Sequence, residues 1–162
     1  MKIIGIAGFS GSGKTTLVVR LIPELRSRGL TVSTVKHTHH NVSIDRRDSL
    51  TRRLRDAGAI DVVVAADDHW ALLHEHRGAP EPSLEDLAAR MKPVDILLVE
   101  GFKSHSHHKI EVHRPAAETP LLYVDDPYIV AIATDAPLEG SALPQLDLND
   151  IEAICDFIIE RM

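Results

Sequence analysis

The sequence is poor in cysteine, in long hydrophobic runs and in net positive charge. Its 162 residues include one cysteine, Cys155, which excludes an internal disulfide framework and favours a reducing compartment. The longest apolar runs, residues 96–99 and 129–133, are far shorter than the ~20 residues of a membrane-spanning helix. The N-terminus has neither the charged region nor the long apolar region of a signal peptide. We therefore expect a cytoplasmic protein that does not cross a membrane.

The charge balance limits the partners of the chain. The 18 Lys and Arg residues against 24 Asp and Glu residues give 18 − 24 = −6, so we expect no overall attraction to nucleic acid or anionic lipid. Hydrophobic residues make up 44% of the chain, enough for a core of ordinary size, and we expect residues 1–162 to form one domain. Cys155 has Ile151, Ile154 and Ile158 at helical spacing, so it is interpreted as a small core residue and not as a nucleophile.

Residues 8–15, Gly-Phe-Ser-Gly-Ser-Gly-Lys-Thr, are the stretch around which the chain is organised. They match the P-loop pattern G-x-x-x-x-G-K-[ST] between a predicted strand and a predicted helix, which is the context that the pattern requires. In a P-loop, backbone N–H groups surround phosphate oxygens, the lysine reaches the β- and γ-phosphates and the threonine hydroxyl binds Mg²⁺. The nucleotide is predicted to contact Ser10, Gly11, Ser12, Gly13, Lys14, Thr15 and Thr16. The alternative is a Gly/Ser-rich turn with a chance lysine.

Periodicity and turn signals predict an alternation of strands and helices. After the first strand and the P-loop, we predict a helix ending at Gly29 and loosened by Pro23, then strands at 30–36, 62–64, 70–74, 95–101, 109–113 and 128–133, and helices at 49–58, 84–91 and 148–160. Ser83 and Asp86 are predicted to form a capping box at the start of the helix at 84–91. This order predicts an α/β fold of the P-loop NTPase type, with a mainly parallel sheet and helices on both faces.

Two carboxylates follow apolar strands, where open parallel sheets bind ligands. Glu100 would lie beside the P-loop and, with Thr15, hold Mg²⁺ directly or through water, or it would orient the attacking water. The alternative is an exposed strand-end carboxylate. Asp135 could accept the N1–H and N2–H₂ donors of guanine, although the usual lysine-containing guanine signature is missing.

Basic and imidazole groups surround the same predicted edge. Three histidines after the second strand could contact phosphate or a partner: His37, His39 and His40. A second histidine group at 105–108 makes zinc an alternative, but no cysteine and no H-x₃₋₅-H framework accompanies it. Lys36 and Lys103 would enlarge the positive field over an anionic ligand, or they are ordinary surface lysines.

Together these stretches resemble the molybdopterin-guanine dinucleotide biosynthesis adaptor proteins, the MobB family. The resemblance rests on the P-loop, on V-K-H-x-H-H at 35–40 and L-V-E-G-F-K at 98–103, and on shorter matches at 48–49, 57–59, 109–112 and 133–135. It implies a dimeric GTP-binding protein with weak hydrolysis. Such a protein assists the guanylyltransferase of the MobA type that attaches GMP to molybdopterin. Molybdopterin itself is a possible ligand, and the same three histidines could contact its pterin.

One departure and two alternatives accompany the resemblance. The family usually has a longer acidic-glycine-lysine segment before its Asp-Ser pair, whereas residues 44–49 lack the glycine and lysine, and Arg47 could supply the positive charge. A small-molecule kinase would share the P-loop and the sheet, with its acceptor-binding arginines drawn from residues 52–55. The second alternative is a scaffold protein whose P-loop only stabilises the fold.

Overall fold

The structure, a computed structural model, describes residues 1–38, 49–103 and 105–161. Two of the histidines predicted for the site, His39 and His40, and Arg47 lie outside the described residues. The chain forms two compact units, one of Met1–His37 with Met91–Met162 and one of Thr38–Arg90. The smaller unit is therefore an insertion in the chain of the larger one.

The predicted strands and helices follow one another along the chain in the predicted order, and the structure adds further short elements. The larger unit contains β1 (Lys2–Ala7), α1 (Lys14–Ser27), β2 (Val32–Lys36), β5 (Ile96–Glu100), β6 (Lys109–His113), β7 (Ile129–Thr134), β8 (Gln145–Asp147) and α4 (Ile151–Glu160). The smaller unit contains α2 (Leu50–Asp56), β3 (Asp61–Ala65), β4 (Trp70–His74) and α3 (Leu84–Ala89). Two single-turn 3₁₀ helices, Pro115–Ala117 and Leu122–Val124, lie between β6 and β7.

The strands of the larger unit form one parallel sheet in the order β2-β5-β1-β6-β7-β8. The predicted α/β fold with a mainly parallel sheet is confirmed. From β1 the chain first builds β2 and β5 on one side and then β6, β7 and β8 on the other, so the topology switches at β1. Ligands of open parallel sheets bind at the carboxyl ends of the strands at such a switch point, and the P-loop follows β1 directly.

The core of the larger unit lies between the sheet and two helices that share one face. Side chains of α1 and α4 pack with the strand residues of matching parity: Ile4, Ile6, Ile96, Leu98, Ile110, Val112, Ala131 and Ala133. Cys155 belongs to this cluster and is fully buried, and burial raises the pKa of its thiol to about 11. A thiol with such a pKa stays protonated and inert at neutral pH, which agrees with its predicted place in the core.

The smaller unit is a helix, an antiparallel hairpin and a second helix. The capping box predicted at α3 is present: the Ser83 hydroxyl accepts from the Asp86 N–H, and the Asp86 carboxylate accepts from the Ser83 N–H. In the hairpin, Val62 pairs with Leu73 on the buried side, and Val63 pairs with Leu72 on the exposed side.

The C-terminal part of the chain departs most from the sequence prediction. The last helix starts at Ile151, three residues later than predicted, because the Asp150 carboxylate caps it by accepting from the Ala153 N–H. The residues before it form β8, which the sequence analysis did not predict. None of the helices in the described ranges has the length and apolar character that a bilayer crossing requires.

Candidate functional site

The P-loop contains glycines with positive φ, and at Gly8 a side chain would not fit. Gly8 has φ +140°, and a Cβ at this position would lie 2.5 Å from the carbonyl oxygen of Val112 in β6. The loop therefore approaches the neighbouring strand as closely as only glycine allows. Gly13, with φ +105°, ends the loop, and α1 begins at Lys14, so the unpaired N–H groups of the first helical turn face the loop.

Lys14 is held inside the loop. Its Nζ donates a hydrogen bond to the carbonyl oxygen of Phe9 at 2.7 Å. Burial is the main cause that lowers the pKa of this ammonium; Glu100 raises it, while Lys103 and Lys36 lower it further. A partly desolvated ammonium beside two other cations favours an anionic ligand, because phosphate would replace the hydration that the lysine lacks.

Thr15 and Glu100 meet although 85 residues separate them in the chain. The Thr15 hydroxyl lies 2.9 Å from each carboxylate oxygen of Glu100 and donates to them. Pairing of β1 with β5 brings the two together, since it aligns the carboxyl ends of both strands. A hydroxyl and a carboxylate at this spacing are oxygen ligands of the kind that Mg²⁺ prefers, so these two residues fit the metal that a P-loop uses.

A polar cavity of about 380 Å³ lies in front of these groups. Its lining comprises Ser10, Gly11, Gly13, Lys14, Thr15, Thr16, Lys36 and Glu100. Of the predicted P-loop contacts, only Ser12 is missing from this lining. Its side chain is buried, and its hydroxyl oxygen Oγ has no hydrogen-bond partner among the described residues. The cavity combines N–H donors, ammonium groups and a carboxylate, which is the set needed to hold a polyphosphate with its divalent cation.

Arg114, which the sequence analysis missed, connects the P-loop to Asp135. Its Nε donates to the carbonyl oxygen of Ser12 at 3.1 Å, and its guanidinium forms an ion pair with the Asp135 carboxylate. Arg114 directly follows β6, and β6 lies next to β1 in the parallel sheet. The signal was present in the sequence, because a basic residue at the end of a neighbouring parallel strand reaches the same edge as the P-loop.

Asp135 lines a second, smaller cavity at the far end of this edge. The cavity measures about 260 Å³ and lies where β7 and β8 end, between residues 134–137 and 145–147. The P-loop lies on one side of Arg114 and Asp135 on the other. Arg114 and Asp135 thus form a polar link between the P-loop and the end of β7.

The predicted histidine site is only partly described. His37 follows β2, and its ring lies 4.5 Å, centroid to centroid, from the ring of buried Phe102. Lys103 places its ammonium 5.4 Å from the centroid of the Phe9 ring, within cation–π distance. In the described ranges, no three His, Cys, Asp or Glu side chains come together as metal ligands.

The central P-loop, the parallel sheet and the strand-end carboxylate give this chain the fold of the P-loop NTPase class. Residues 3–135 match the model of the family MobB, molybdopterin guanine dinucleotide synthesis protein B. The chain belongs to this family.

Relatives and a solved structure agree with the family assignment. The molybdopterin-guanine dinucleotide biosynthesis adapter protein of Haemophilus influenzae is 43% identical over 161 residues, which are 98% of this chain and 88% of that protein. The adapter protein of the same name from Escherichia coli is 40% identical over 165 residues and covers 100% of this chain and 94% of its own. A crystal structure of molybdopterin-guanine biosynthesis protein B superimposes with a TM-score of 0.77 at 26% identity, covering 99% of each chain.

Proposed function

We propose that this chain is a GTP-binding adaptor protein that assists the attachment of GMP to molybdopterin in the biosynthesis of molybdopterin guanine dinucleotide. The observation that carries the proposal is the convergence of Lys14, Thr15 and Glu100 on one polar cavity at the switch point of the sheet. Family membership supplies the pathway, since the relatives are named for that biosynthesis. We include both compact units in one nucleotide-binding domain, because the smaller is an insertion in the larger.

In this proposal, the loop and the start of α1 bind the phosphates. N–H groups of residues 10–16 and the Lys14 ammonium hold the triphosphate, while Thr15 and Glu100 hold Mg²⁺. The metal would supply charge neutralisation between the β- and γ-phosphates. Glu100 would either bind it or orient the attacking water. A nucleoside triphosphate as ligand and a single buried thiol suit a cytoplasmic setting.

Asp135 is the proposed reader of the guanine base. A carboxylate accepts from both N1–H and N2–H₂ of guanine, whereas adenine does not present that pair of donors. Its position beside the second cavity supports this role, because the cavity continues the edge from the P-loop. Arg114 forms an ion pair with the same carboxylate, so base and arginine would share or exchange it.

Hydrolysis by this site is proposed to be slow. Among the described residues, no arginine lines the P-loop cavity. An arginine finger contributes about 10³ to 10⁵ in rate to related reactions, so a cavity lining without arginine in the described part of the chain favours a binding role over rapid turnover. Detection of a phosphorylated small molecule with ATP would instead favour the kinase alternative.

The proposed protein partners are a second copy of this chain and a molybdopterin guanylyltransferase of the MobA type. The exposed side of the β3–β4 hairpin supports the first, since Val63, Trp70 and Leu72 are 61%, 65% and 46% exposed there. Exposed apolar side chains grouped on one strand pair are typical of an interface. His37, together with His39 and His40, is the proposed contact for pterin or the guanylyltransferase.

Titration of the purified protein with GTP and ATP, with and without Mg²⁺, tests the proposal. We expect Mg²⁺-dependent binding of GTP in preference to ATP, and loss of this binding in Lys14→Ala without loss of the fold, because Lys14 contacts loop and ligand and not the core. Lys92→Ala is the matched control, since Lys92 is exposed and does not line the cavity. Unchanged affinity in a folded Lys14→Ala variant would refute the proposal.

A further inference from the structure

Lys36 occupies a specific place in the P-loop cavity. Its ammonium lies 3.0 Å from Oε1 of Glu100 and 3.1 Å from Oγ1 of Thr15. These are the same two residues whose oxygens fit a divalent cation. A cation carried by the chain thus contacts both groups that the proposed metal would contact.

The backbone fixes this arrangement. Lys36 ends β2, Glu100 ends β5, and the two are direct partners in the parallel register. Side chains at paired positions of parallel strands point to the same face of the sheet, so the stem of Lys36 starts beside that of Glu100 and the ammonium can reach the carboxylate. The pairing continues beyond the strands, where the His37 N–H donates to the Glu100 carbonyl oxygen at 2.7 Å.

Gly101 allows the two strands to stay together past this pair. It has φ +98°, and a Cβ there would lie 2.7 Å from the carbonyl oxygen of His37. Any larger residue at this position would push the ends of β2 and β5 apart. The distance between Lys36 and Glu100 is therefore protected on its C-terminal side.

We propose that Lys36 is a specificity-determining residue of the nucleotide site. When an Mg²⁺-bound nucleoside triphosphate binds, the Lys36 ammonium leaves Glu100 and Thr15 and contacts the terminal phosphate instead. This inference rests on the proposed function, since it assigns a role within the same cavity. Lys36 and the divalent cation compete for the same two oxygens. When the cation takes these oxygens, the Lys36 ammonium loses its contact with Glu100. Only a γ-phosphate then offers it a new anionic partner.

The exposure of Lys36 and the charge of phosphate keep the free-energy cost of this movement low. The Lys36 side chain is 58% exposed, whereas that of Glu100 is 14% exposed, so the lysine can move into solvent while the carboxylate stays. An ion pair with one exposed member contributes little, and a charge-assisted hydrogen bond to phosphate exceeds it. A diphosphate has no phosphate at the γ position, so an ammonium displaced by the metal would have no anion at that position to contact.

Lys103 provides the matched comparison. It acts on Lys14 as Lys36 does, since both cations lower the pKa of Lys14 by repulsion. Its ammonium, however, lies over the Phe9 ring, and it is not among the residues that line the cavity. Replacing either lysine by methionine removes one positive charge and keeps the aliphatic stem. Only Lys36→Met removes the competitor for Thr15 and Glu100.

The test measures affinities for GDP and for a non-hydrolysable GTP analogue by calorimetry, over a series of Mg²⁺ concentrations. In Lys36→Met, we expect the preference for the triphosphate over the diphosphate to fall about tenfold. The Mg²⁺ concentration that gives half-maximal GDP binding should fall about three- to fivefold, because the competing ammonium is gone. Lys103→Met should weaken both nucleotides alike and leave the Mg²⁺ midpoint unchanged. Melting curves accompany both variants, and Lys36→Gln repeats the test if methionine lowers the melting temperature.

The proposed exchange would be refuted if folded Lys36→Met kept the wild-type preference for the triphosphate, or the wild-type Mg²⁺ midpoint for GDP binding. Equal weakening of both nucleotides, as in Lys103→Met, would show that Lys36 contributes only general positive charge. Failure of the wild-type protein to bind either nucleotide would refute the proposed function and this inference with it. Wild-type binding with an unaltered preference in Lys36→Met would refute this inference alone.

Discussion

Glu100→Gln separates metal use from nucleotide binding. The substitution keeps the shape of the side chain and one carbonyl oxygen, so one of the two 2.9 Å contacts with the Thr15 hydroxyl can persist. It removes the negative charge that faces Lys36 at 3.0 Å and that would offset the charge of Mg²⁺. Lys14 and the loop N–H groups are unchanged. Nucleotide affinity at saturating Mg²⁺ should therefore change little.

The expected magnitudes follow from the contacts. Loss of a partly exposed ion pair costs about 1 kcal/mol, which lowers the melting temperature of a protein of this length by about 2–4 °C. Replacement of a group that binds or orients a metal typically costs about 10- to 100-fold in metal affinity or activity. The Mg²⁺ concentration for half-maximal GTP hydrolysis should rise by such a factor. Lys36→Met should shift the Mg²⁺ requirement in the opposite direction.

Single-turnover GTP hydrolysis against Mg²⁺ concentration measures this effect, with melting curves for wild type and variant alongside. Asp95→Asn is a suitable control, because Asp95 pairs with Thr31 at the opposite end of β5 and is remote from the cavity. Superimposable hydrolysis curves for wild type and Glu100→Gln would refute the metal assignment. A lower melting temperature with unchanged hydrolysis per folded molecule would make Glu100 a structural residue.

Two further predictions concern pH and association. The pKa of Lys14 is lowered from 10.5, chiefly by burial, and bound phosphate should raise this pKa again. GTP binding at alkaline pH should therefore be accompanied by proton uptake, and the affinity for GTP should fall as pH rises through the lowered pKa. Calorimetry in buffers of different ionisation enthalpy measures this uptake, and a buffer-independent enthalpy would contradict it. If the exposed hairpin face forms the dimer, Val63→Asp should give monomers in sedimentation, whereas Val19→Asp, at an equally exposed valine of α1, should not. Dimers that persist in Val63→Asp would exclude this face.

The fold could be predicted where the signal is local. The P-loop pattern, the apolar run before Glu100 and the capping box at Ser83 each lie within a few residues, so periodicity and turn chemistry locate them. The strand β8 has no such signal. Its three residues, Gln145–Asp147, contain no β-branched side chain, and the strand forms through pairing with β7 at the edge of the sheet.

The site could be predicted only as far as strand ends reveal it. Glu100 and Asp135 were identified because each follows an apolar run, and the structure places each at the carboxyl edge. The contact of Lys36 with Glu100 depends on the register between β2 and β5, which lie 60 residues apart in the chain and pair through non-local contacts. Arg114 was missed because β6, Lys109–His113, alternates charged and apolar residues, so no apolar run precedes this arginine.

The alternation of β6 shows why charge patterns need the structure. Lys109, Glu111 and His113 alternate with apolar residues, a pattern typical of a strand with one solvated face. Both faces are nevertheless buried, and Lys109 is only 1% exposed. Its ammonium donates to the His105 carbonyl oxygen at 2.6 Å and to Asp126 at 2.9 Å. The buried carboxylate of Glu111 accepts from the N–H groups of Leu122 and Tyr123 at 2.8 and 3.0 Å.

These buried charges bind the two loops that flank β6 to the strand itself. A buried charge is tolerated only when it is paired or fully hydrogen-bonded, and removal of a single partner is strongly destabilising. The loops before and after β6 are therefore fixed by groups that a sequence pattern would assign to solvent. Because Arg114 follows β6 directly, the guanidinium that contacts the P-loop and Asp135 extends from a strand held on both sides. The polar face of β6 thus helps to position Arg114 beside the P-loop and Asp135.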